Sequence, residues 1–497
     1  MIVHKFGGTS VEGPDRFASV AEIILSQRGP RGKATAQRRS PSDTGHAKKV
    51  PAVVVVSAMS GVTHQLIAGA RAAAEGHDSV YERISADLLS RHVGVAEVLL
   101  SDSAQRSQVV GYVKDQLQDL KRLYRSIAVL GELTARGRDA VASFGEHLSV
   151  HVLAAVLRQR GAAAQAVSSS ELIVTDDVFG AATPLMTRTR CRLQATIAPL
   201  VERGVLPVIT GFIGATEEGV TTTLGRGGSD YSAAVIGAGL DAKEVWIWSD
   251  VDGILTADPN IVPQALTLTE LSYAEAADLA YVGAEVLHPK TIRPLVQRGI
   301  PLRIVNSYHP SHSGTLIVDS PRASRQVLPA IISTTGLGMI AIGSQDDTWA
   351  LHMAARALQR LSESGIEVLM FSQSLSEHNL NLVIRAKDQD HCLSILRREF
   401  GDGHRGAPFR LGLKQRVATI SVVGLPGRKE RRNNVVSRTF AALGQHHTRV
   451  IAVAQAATEH SVSFCVPEDQ LDDAVRFLHG QLGLDGVPWD EDPGRRA

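Results

Sequence analysis

A lysine at the end of a short apolar run is the first residue whose position suggests chemistry. Lys5 is followed by the segment Gly-Gly-Thr-Ser at 7–10, just before a predicted helix. Glycines let backbone N–H groups approach an anion closely, and a helix N-terminus favours negative charge. The segment therefore suits a phosphate group. A structural glycine turn explains it equally well, and the Walker A pattern GxxxxGK(S/T) is absent.

The segment TTTLGRGGSDYS at 221–232 combines three glycines with charged residues at the start of another predicted helix. Arg226 suits a carboxylate or a phosphate, which a guanidinium group binds in a bidentate manner. Asp230 suits an ammonium group or a metal ion, and either Ser229 or Asp230 suits the helix N-cap. A charged pair inside a glycine-rich loop favours a binding role over a merely solubilising one.

Two further segments place acidic residues where a site is expected. An apolar strand predicted at 244–249 runs into Asp250 and Asp252. The carboxyl ends of parallel strands usually form the binding crevice of such sheets. A turn stabilised by aspartate side chains explains Asp252 as well. Glu146, in the segment SFGE at 143–146, is most simply a helix cap.

The composition excludes several classes of protein. Hydrophobic residues make up 44% and charged residues 21% of the 497 residues, as in ordinary globular proteins. Lys and Arg (52) balance Asp and Glu (51), so neither nucleic acid nor an anionic membrane is expected as the main partner. The three cysteines form no CxxC or Cys/His cluster, so no zinc site is expected. Because no apolar run reaches the roughly 20 residues of a membrane helix and no signal-like segment precedes the first strand, we expect a cytoplasmic protein.

A parallel sheet must position these residues. Helical segments alternate with continuous apolar strands, which are predicted at 2–6, 52–56, 205–210, 244–249 and 302–305. This pattern indicates a sheet covered by helices on both faces. Residues 29–49 are rich in Gly, Pro, Ser and Arg without periodicity, which predicts a flexible insertion. A nucleic-acid-binding arm is the alternative, which the absence of aromatic residues disfavours.

From about residue 335 the sequence repeats itself with an offset of 82 residues. The segment QSLSEH at 373–378 is echoed by QAATEH at 455–460. Each copy is predicted as strand, helix, strand, strand, helix, which is typical of a small ferredoxin-like module. One copy leaves a sheet face uncovered, so we expect the copies to pack with each other or with a partner subunit.

Five segments occur in an order typical of one enzyme family: KFGGTSV (5–11), VVSAMSGVT (55–63), SFGEHLS (143–149), GFIGATEEGVTTTLGRGGSDYSAA (211–234) and VGAEVLHPKT (282–291). Together they resemble the aspartate kinases of the amino-acid kinase superfamily. The repeated modules resemble the C-terminal ACT regulatory domains of these enzymes. The resemblance spans about residues 1–485.

The resemblance implies a three-layer α/β sandwich with a mainly parallel sheet, plus two ferredoxin-like βαββαβ ACT modules. It implies a catalytic domain at 1–320, ACT modules at 335–405 and 416–485, and a disordered tail at 486–497. Since ACT modules of this family pair between subunits, it also implies a homodimer or a dimer of dimers.

The implied reaction transfers the γ-phosphoryl group of ATP to the side-chain carboxylate of L-aspartate. The product is 4-phospho-L-aspartate, a precursor of lysine, threonine and methionine. Because a carboxylate is already ionised at pH 7, catalysis needs no general base and is mainly positioning and charge neutralisation. The implied catalytic residues are Lys5, Asp230 and Ser57. Mg²⁺ would bridge the phosphates with few protein ligands.

The resemblance assigns the other site residues by their places in the motifs. Those implied for the nucleotide are Lys5, Gly7, Gly8, Thr9, Ser249, Asp250, Leu255, Asn260, Glu285 and Val286. Those implied for aspartate are Thr63, Glu146, Arg226, Gly227, Gly228, Ser229 and Asp230; Arg226 would hold a carboxylate, and Glu146 and Asp230 would face the ammonium group. Those implied for an amino-acid effector, lysine or threonine, are Asp347, Gln373, Asn379 and Gln455.

Two other functions stay open. One is another acylphosphate-forming or nucleotide kinase of the superfamily, such as a glutamate kinase, which the double ACT tail and the context of Glu146 disfavour. The other is a catalytically degenerate amino-acid sensor, which the intact Lys5, Arg226 and Asp230 oppose. The effector also stays open, because Ser461 stands where the second module would match the asparagine of the first.

Three positions of the implied nucleotide region depart from the pattern. Many relatives carry tyrosine, arginine and lysine where this chain has Leu255, Asn260 and Glu285. Losing two cations and gaining an anion should weaken the binding of ATP phosphates. We therefore expect a high KM for ATP that Asn260→Arg lowers. Steady-state kinetics with varied ATP test this, and an unchanged KM in the variant would contradict it.

Overall fold

The first strand of the chain, β1 (Ile2–Phe6), is buried along its whole length. It belongs to a unit formed by Met1–Ile254, Thr269–Ala277 and Glu285–Ala323. The computed structural model describes residues 1–28, 50–281, 283, 287–322, 328–344, 351–374, 379–401, 409–424, 429–455 and 461–484. The insertion predicted at 29–49, the tail predicted at 486–497, and Glu285, Val286 and Asp347 lie outside these residues.

The first unit contains ten described strands and the helices that connect them. The strands after β1 are β2 (Ala52–Val56), β3 (Ala164–Val167), β4 (Leu206–Thr210), β5 (Ile213–Ala215), β6 (Thr221–Thr223), β7 (Glu244–Ser249), β8 (Glu270–Ser272), β9 (Leu302–Asn306) and β10 (Thr315–Val318). The helices that begin here are α1 (Pro14–Arg28), α2 (Val62–Ala74), α3 (Asp78–Leu99), α4 (Ser103–Leu130), α5 (Ala135–Ala142), α6 (Phe144–Gln159), α7 (Met186–Glu202), α8 (Gly228–Gly239), α9 (Tyr273–Tyr281) and α10 (Pro289–Val296). Short 3₁₀ helices span Gly8–Val11 and Ser169–Glu171.

Eight of these strands form one sheet in the order β3-β4-β2-β1-β7-β9-β10-β8. Neighbours from β3 to β9 run parallel, whereas β10 runs antiparallel to β9. The strands β5 and β6 form a separate hairpin. The predicted parallel α/β sheet is confirmed, and each predicted strand agrees with the observed one to within one residue at either end.

Alternating side chains of the central strands face two different helical layers. Phe6 and Trp248 point into a core that they share with helices α1–α4 and α6. Val245 points to the other side, where a Cβ added to Gly237 of α8 would lie 2.5 Å from its side chain. Lys5 lies in register with Ile247 of β7, so it faces the α8 layer. The sheet is therefore the middle of three layers.

The carboxyl ends of four neighbouring parallel strands meet at one edge of this sheet. They belong to β4, β2, β1 and β7. These strands continue into Gly211, Ser57, Gly7 and Asp250, each of which begins or lies in a segment with predicted site residues. Parallel topology thus gathers segments that are up to 243 residues apart in the sequence.

A second unit consists of Leu255–Leu268, Asp278–Ala284 and Ser324–Ala497. It contains a six-stranded antiparallel sheet. Its strands are β11 (Ala330–Ser344), β12 (Val368–Ser374), β13 (Asn379–Arg385), β14 (Phe409–Val423), β15 (Ala452–Gln455) and β16 (Ser461–Pro467), in the order β12-β13-β11-β14-β16-β15. Its helices are α11 (Leu351–Glu363), α12 (Gln389–Phe400), α13 (Lys429–Gln445) and α14 (Leu471–Gln481), with 3₁₀ helices at Ala386–Asp388 and Glu468–Gln470.

The internal repeat of the sequence is also a repeat of structure. The strands β13 and β16 begin 82 residues apart, and so do the helices α12 and α14. Leu382 and Phe464 are fully buried at corresponding positions of the two strands. Leu396 and Leu478 are fully buried at corresponding positions of the two helices.

Two long strands are shared between the repeated modules. The second half of β11, from Leu337, pairs with β13 on one side and with the first half of β14 on the other. The first half of β11, residues 330–334, pairs with residues 419–423 of β14, which in turn pair with β16. A register shift between Thr334 and Leu337 separates the halves. Among the described residues, each module therefore has four strands, and the modules are interlocked.

The segment Leu255–Leu268 packs with the second module. Ala257 and Ile261 lie in one apolar cluster with residues of β11, β14, β16, α13 and α14. The Thr256 carbonyl accepts a hydrogen bond of 2.7 Å from the backbone N–H of Ile331. The Thr256 hydroxyl lies 3.0 Å from Nε2 of His479, and both side chains are buried. The sequence prediction placed this segment in the catalytic domain.

One helical stretch among the described residues, Ala135–Gln159, has a length and hydropathy that would allow a membrane crossing. It is interrupted at Ser143, between α5 and α6. Its most apolar part is 78% buried inside the protein, which is typical of helices in the core of a folded domain.

Candidate active site

A cavity of about 350 Å³ opens where β1 and β2 end, beside the N-terminus of α8. It lies within the first unit and brings together residues from four of the five sequence motifs. The predicted site residues that line it are Lys5, Gly8, Ser57, Thr63, Glu146, Arg226, Gly227, Gly228, Ser229 and Asp230.

Lys5 and Asp230 form an ion pair in this cavity. The Lys5 Nζ lies 2.5 Å from Oδ1 of Asp230, and both side chains are largely buried. The parity of β1 directs Lys5 towards α8, and Asp230 stands in the first turn of that helix. A carboxylate is favoured there because the helix dipole is positive at its N-terminus. Strand register and helix position thus bring together two residues that are 225 positions apart.

The turn at 57–61 packs against the glycine-rich loop that follows β1 and against helix α6. A Cβ added to Gly8 would lie 2.9 Å from the Ala58 carbonyl oxygen. A Cβ added to Gly145 would lie 2.7 Å from the Ala58 side chain. Only glycine therefore allows these approaches, which explains why both motifs carry glycine there. The contact places the Ala58 N–H within 3.3 Å of Oε1 of Glu146.

Glu146 is a buried acid in the wall of the cavity. Only 3% of the residue is exposed, and its buried Oε2 has no hydrogen-bond partner among the residues that the structure describes. Burial raises the pKa of Glu146 from 4.5 to about 8, and the hydrogen bond from Ala58 opposes this only in part. The carboxyl group is therefore mostly protonated at pH 7. A cationic ligand group beside it would favour the ionised form.

Arg226 adds a second cation to the same cavity. It is the exposed residue of the loop between β6 and α8. A Cβ added to Gly227 would lie 2.6 Å from the His288 side chain, so His288 packs closely on this loop. Burial and the positive charges of Lys290 and Arg226 lower the pKa of His288. The cavity thus pairs two cations, Lys5 and Arg226, with two acids, Glu146 and Asp230.

Four of the residues predicted to bind the nucleotide, Gly7, Thr9, Ser249 and Asp250, lie beside the cavity, around the ends of β1 and β7. The Gly7 N–H donates to the Trp248 carbonyl at 3.3 Å, and a Cβ added to Gly7 would be 3.5 Å from Lys5 Nζ. The Ser249 hydroxyl donates to Oδ1 of Asp250 at 3.0 Å. The Thr9 carbonyl accepts from the Tyr308 hydroxyl at 3.3 Å.

The segment 306–308, which begins with the last residue of β9, connects the loop after β1 with the end of β7 and was missed by the sequence analysis. The Ser307 N–H donates to the Ser249 carbonyl at 2.8 Å, and the Ser307 hydroxyl lies 2.9 Å from that of Ser10. Asn306 Nδ2 donates to the Asp250 carbonyl at 3.4 Å. The segment directly follows the strand predicted at 302–305, so the rule on the carboxyl ends of parallel strands would have found it. Met59, Ser60, Gly61, His64, Phe212 and Gly225 also line the cavity and were not singled out.

The remaining predicted residues lie in other parts of the chain. Leu255 and Asn260 belong to the second unit, where the Asn260 side chain donates to Oδ1 of Asp258 at 3.0 Å. Gln373 and Asn379 stand near the facing ends of the paired strands β12 and β13. Gln455 ends β15, next to β16. The roles predicted for these residues stay predictions.

Chemically, the cavity suits a small zwitterionic molecule together with a transferable anionic group. Arg226 can hold a carboxylate, while Glu146 and Asp230 can accept from an ammonium group. Lys5 can stabilise negative charge on a phosphoryl group. No cluster of three or more His, Cys, Asp or Glu side chains that could hold a metal ion occurs in the part of the chain that the structure describes. A divalent cation here would take most of its ligands from phosphate and water.

Comparison with protein families identifies two regions of the chain. Residues 1–306 match the model of the amino acid kinase family. Residues 351–400 and 420–482 match the model of the ACT domain. The second match covers parts of both interlocked modules.

Comparison with individual proteins gives similarity over nearly the whole chain. Aspartokinase 3, chloroplastic, of Arabidopsis thaliana is 30% identical over 96% of this chain and 80% of its own length. The crystal structure of E. coli aspartokinase III with aspartate and ADP is 27% identical, covers 97% of this chain and 100% of that chain, and superimposes with a TM-score of 0.76. The same enzyme with lysine and aspartate is 26% identical, with equal coverage of this chain, 99% coverage of its own and a TM-score of 0.76.

The burial of Glu146 predicts a pH dependence of stability. The folded pKa of about 8 exceeds the reference value of 4.5, so the folded protein holds this proton more tightly than the unfolded chain. The stabilisation that this proton gives the folded protein is present in full below pH 4.5 and is lost as the pH rises to about 8. The free energy of unfolding therefore falls over this range by at most about 1.4 kcal/mol per pH unit. Glu146→Gln, which can still accept from Ala58, should remove this decline.

Urea unfolding of both proteins at several pH values between 5 and 8.5 measures this difference. The two proteins differ only at position 146, and the other charged or titratable side chains of the cavity, those of Lys5, His64, Arg226 and Asp230, are common to both. Parallel stability curves for the wild type and the variant would show that Glu146 has an ordinary pKa.

Proposed function

The chain belongs to the amino acid kinase family, and within it to the aspartokinases that carry ACT domains, and we infer that it phosphorylates the side-chain carboxylate of L-aspartate with ATP. The single observation that supports this most is the cavity in which Lys5, Glu146, Arg226 and Asp230 converge. Its charges suit a molecule with one ammonium group and two carboxylates. The product, 4-phospho-L-aspartate, would supply the biosynthesis of lysine, threonine and methionine.

We propose that the substrate is held through its α-amino and carboxylate groups. Arg226 would bind a carboxylate, and Glu146 and Asp230 would accept from the ammonium group. Thr63 and Ser229 would complete the pocket, with the N–H groups of Gly227 and Gly228 nearby. Such positioning matters because an aligned nucleophile removes much of the entropic barrier to phosphoryl transfer.

The side-chain carboxylate of aspartate would attack the γ-phosphorus of ATP directly, without loss of a proton. As the bond to the β,γ-bridging oxygen breaks, negative charge is spread over the phosphoryl oxygens and the leaving ADP. Lys5, released from part of its interaction with Asp230, would stabilise this charge, and Ser57 would lie near the reacting groups. The N–H groups of Gly7, Gly8 and Thr9 would support the phosphates.

ATP would lie beside the ends of β1 and β7. Ser249 and Asp250 would contact the nucleotide, and the 306–308 segment would hold them in place. Mg²⁺ would accompany ATP, held mainly by phosphate oxygens and water. Bound there, it would neutralise phosphate charge. The contributions of Leu255, Asn260, Glu285 and Val286 stay part of this proposal.

We further propose a cytoplasmic enzyme that forms a homodimer, or a dimer of dimers, through its ACT modules. The support is the resemblance to enzymes whose ACT modules pair between subunits. Nucleic acid and membranes are not proposed as partners, since the chain carries a net charge of only +1.

A hydroxamate assay with ATP, Mg²⁺ and L-aspartate tests the reaction, because an acylphosphate product reacts with hydroxylamine. We expect product with aspartate and not with glutamate. Lys5→Ala should lower kcat by about 10²–10³-fold, since it removes a charge that acts on the transferring group. Lys114→Ala, at an exposed position of α4, is the matched control and should keep wild-type activity.

The absence of product from folded wild-type protein at saturating ATP and aspartate would contradict the proposed reaction. It would instead favour the degenerate amino-acid sensor. Equal activity of the Lys5 and Lys114 variants would contradict the role given to Lys5.

An amino-acid effector is proposed to bind the first ACT module. The support is the position of Gln373 and Asn379 on paired strands, together with the lysine-bound structure of E. coli aspartokinase III. Asp347 and Gln455 are the other proposed contacts. Because Ser461 replaces the matching asparagine in the second module, binding should depend mainly on the first.

Inhibition assays with lysine, threonine and both together identify the effector. For the amino acid that inhibits, Asn379→Ala should raise the half-inhibitory concentration about tenfold. This corresponds to one lost hydrogen bond of about 1.4 kcal/mol. Ser461→Ala is the matched control in the second module and should change it little. Inhibition by neither amino acid, or equal effects of both variants, would contradict this assignment.

A further inference from the structure

Asp139 is a buried carboxylate outside the cavity that none of the assigned roles uses. It lies on α5 and is 1% exposed. Its Oδ2 accepts from the backbone N–H of Thr223 and from that of Gly180, each at 2.8 Å. Its Oδ1 accepts from the Thr223 hydroxyl at 2.8 Å.

One side of this network leads directly to Glu146. The helix α5 ends at Ala142 and α6 begins at Phe144, so Glu146 follows in the next helical turn. The Ser143 N–H donates to the Asp139 carbonyl at 3.1 Å, and the Ser143 hydroxyl donates to the Ala140 carbonyl at 2.8 Å. These bonds hold the junction between the two helices in a fixed position relative to Asp139.

The other side leads directly to Arg226 and Asp230. Thr223 is the last residue of β6, and Arg226 follows three residues later in the loop that leads to α8. The Leu224 N–H donates to the Phe212 carbonyl at 2.9 Å, and the Thr223 carbonyl accepts from Ala182 at 2.9 Å. The position of Thr223 therefore sets where the loop leaves the hairpin.

A carboxylate at this depth holds its donors firmly. Removing an ionised group from water is costly unless hydrogen bonds replace the lost hydration. Three short bonds to neutral donors meet that need, and any movement of Thr223 relative to α5 would break two of them. The arrangement resists changes in the distance between the two elements better than apolar contact would, because hydrogen bonds depend on direction.

We propose that Asp139 is a positioning residue that fixes the separation between Glu146 and Arg226, and so sets the fit of the aspartate backbone groups. This inference rests on the proposed function. It assigns Asp139 to amino-acid recognition and not to nucleotide binding, because its bonds lead to the elements that carry the proposed ammonium and carboxylate ligands.

The test compares Asp139→Ala, Asp139→Asn and Thr223→Val in steady-state kinetics with aspartate and ATP varied separately. Asp139→Ala should raise KM for aspartate at least tenfold and change KM for ATP less than twofold. Asp139→Asn should restore KM for aspartate to within about threefold of wild type. Its amide oxygen can accept from both N–H groups while its NH₂ donates to the Thr223 hydroxyl. Thr223→Val, which removes one donor only, should lie between.

Asp102→Ala is the matched control. The Asp102 side chain also accepts from two backbone N–H groups, those of Ala104 and Gln105, but these bonds only cap α4, and the substitution leaves the Asp102 backbone unchanged. Its variant should lose stability without a change in KM for aspartate. Isothermal titration of aspartate gives a second readout that does not depend on turnover.

A KM for aspartate that is unchanged in Asp139→Ala, or that rises equally with KM for ATP, would overturn the inference while leaving the proposed function intact. If Asp139→Ala does not fold, the same comparison rests on Asp139→Asn and Thr223→Val. A wild-type protein without aspartate-dependent activity would overturn both the proposed function and this inference.

Discussion

The site is organised around the need to give Lys5 a partner. Lys5 is only 9% exposed because it belongs to a central strand, and a buried ammonium group is costly unless an acid lies beside it. Asp230 meets that need at 2.5 Å from the first turn of α8. The ion pair holds α8 against β1. It thereby brings the glycine-rich loop after β1 and the one before α8 next to the cavity.

The charges of the cavity are local and nearly balanced. The whole chain has a net charge of +1, so its affinity for anionic ligands cannot come from bulk charge. Two cations and two acids line one small space, and Glu146 is held mostly protonated by its burial. A site of this kind can take up an ammonium group and a phosphate together, because the ionisation of Glu146 can follow the charge of its ligand.

In the C-terminal unit the constraint is different. The two modules share strands, so separating them would remove strands from each. Two strands of 15 residues each serve both modules, and residues 330–334 supply the fourth strand of the second one. The segment 255–268, which follows the site strand β7 after only five residues, is bonded into that second module through Thr256. The chain therefore passes directly from the end of β7, near Asp250, into the second ACT module.

The sequence by itself determined the parallel sheet, its strand ends and the main residues of the cavity, because continuous apolar strands and glycine-rich loops are local patterns with local physical causes. It also revealed the 82-residue repeat, which the strands and helices follow. Only the tertiary structure showed that residues 330–334 and 255–268 belong to the second module, since strand exchange and docking of a loop leave no periodic signal. The role of Asp139 was likewise invisible, because its partners lie 41 and 84 residues away, and only folding brings them within hydrogen-bond distance.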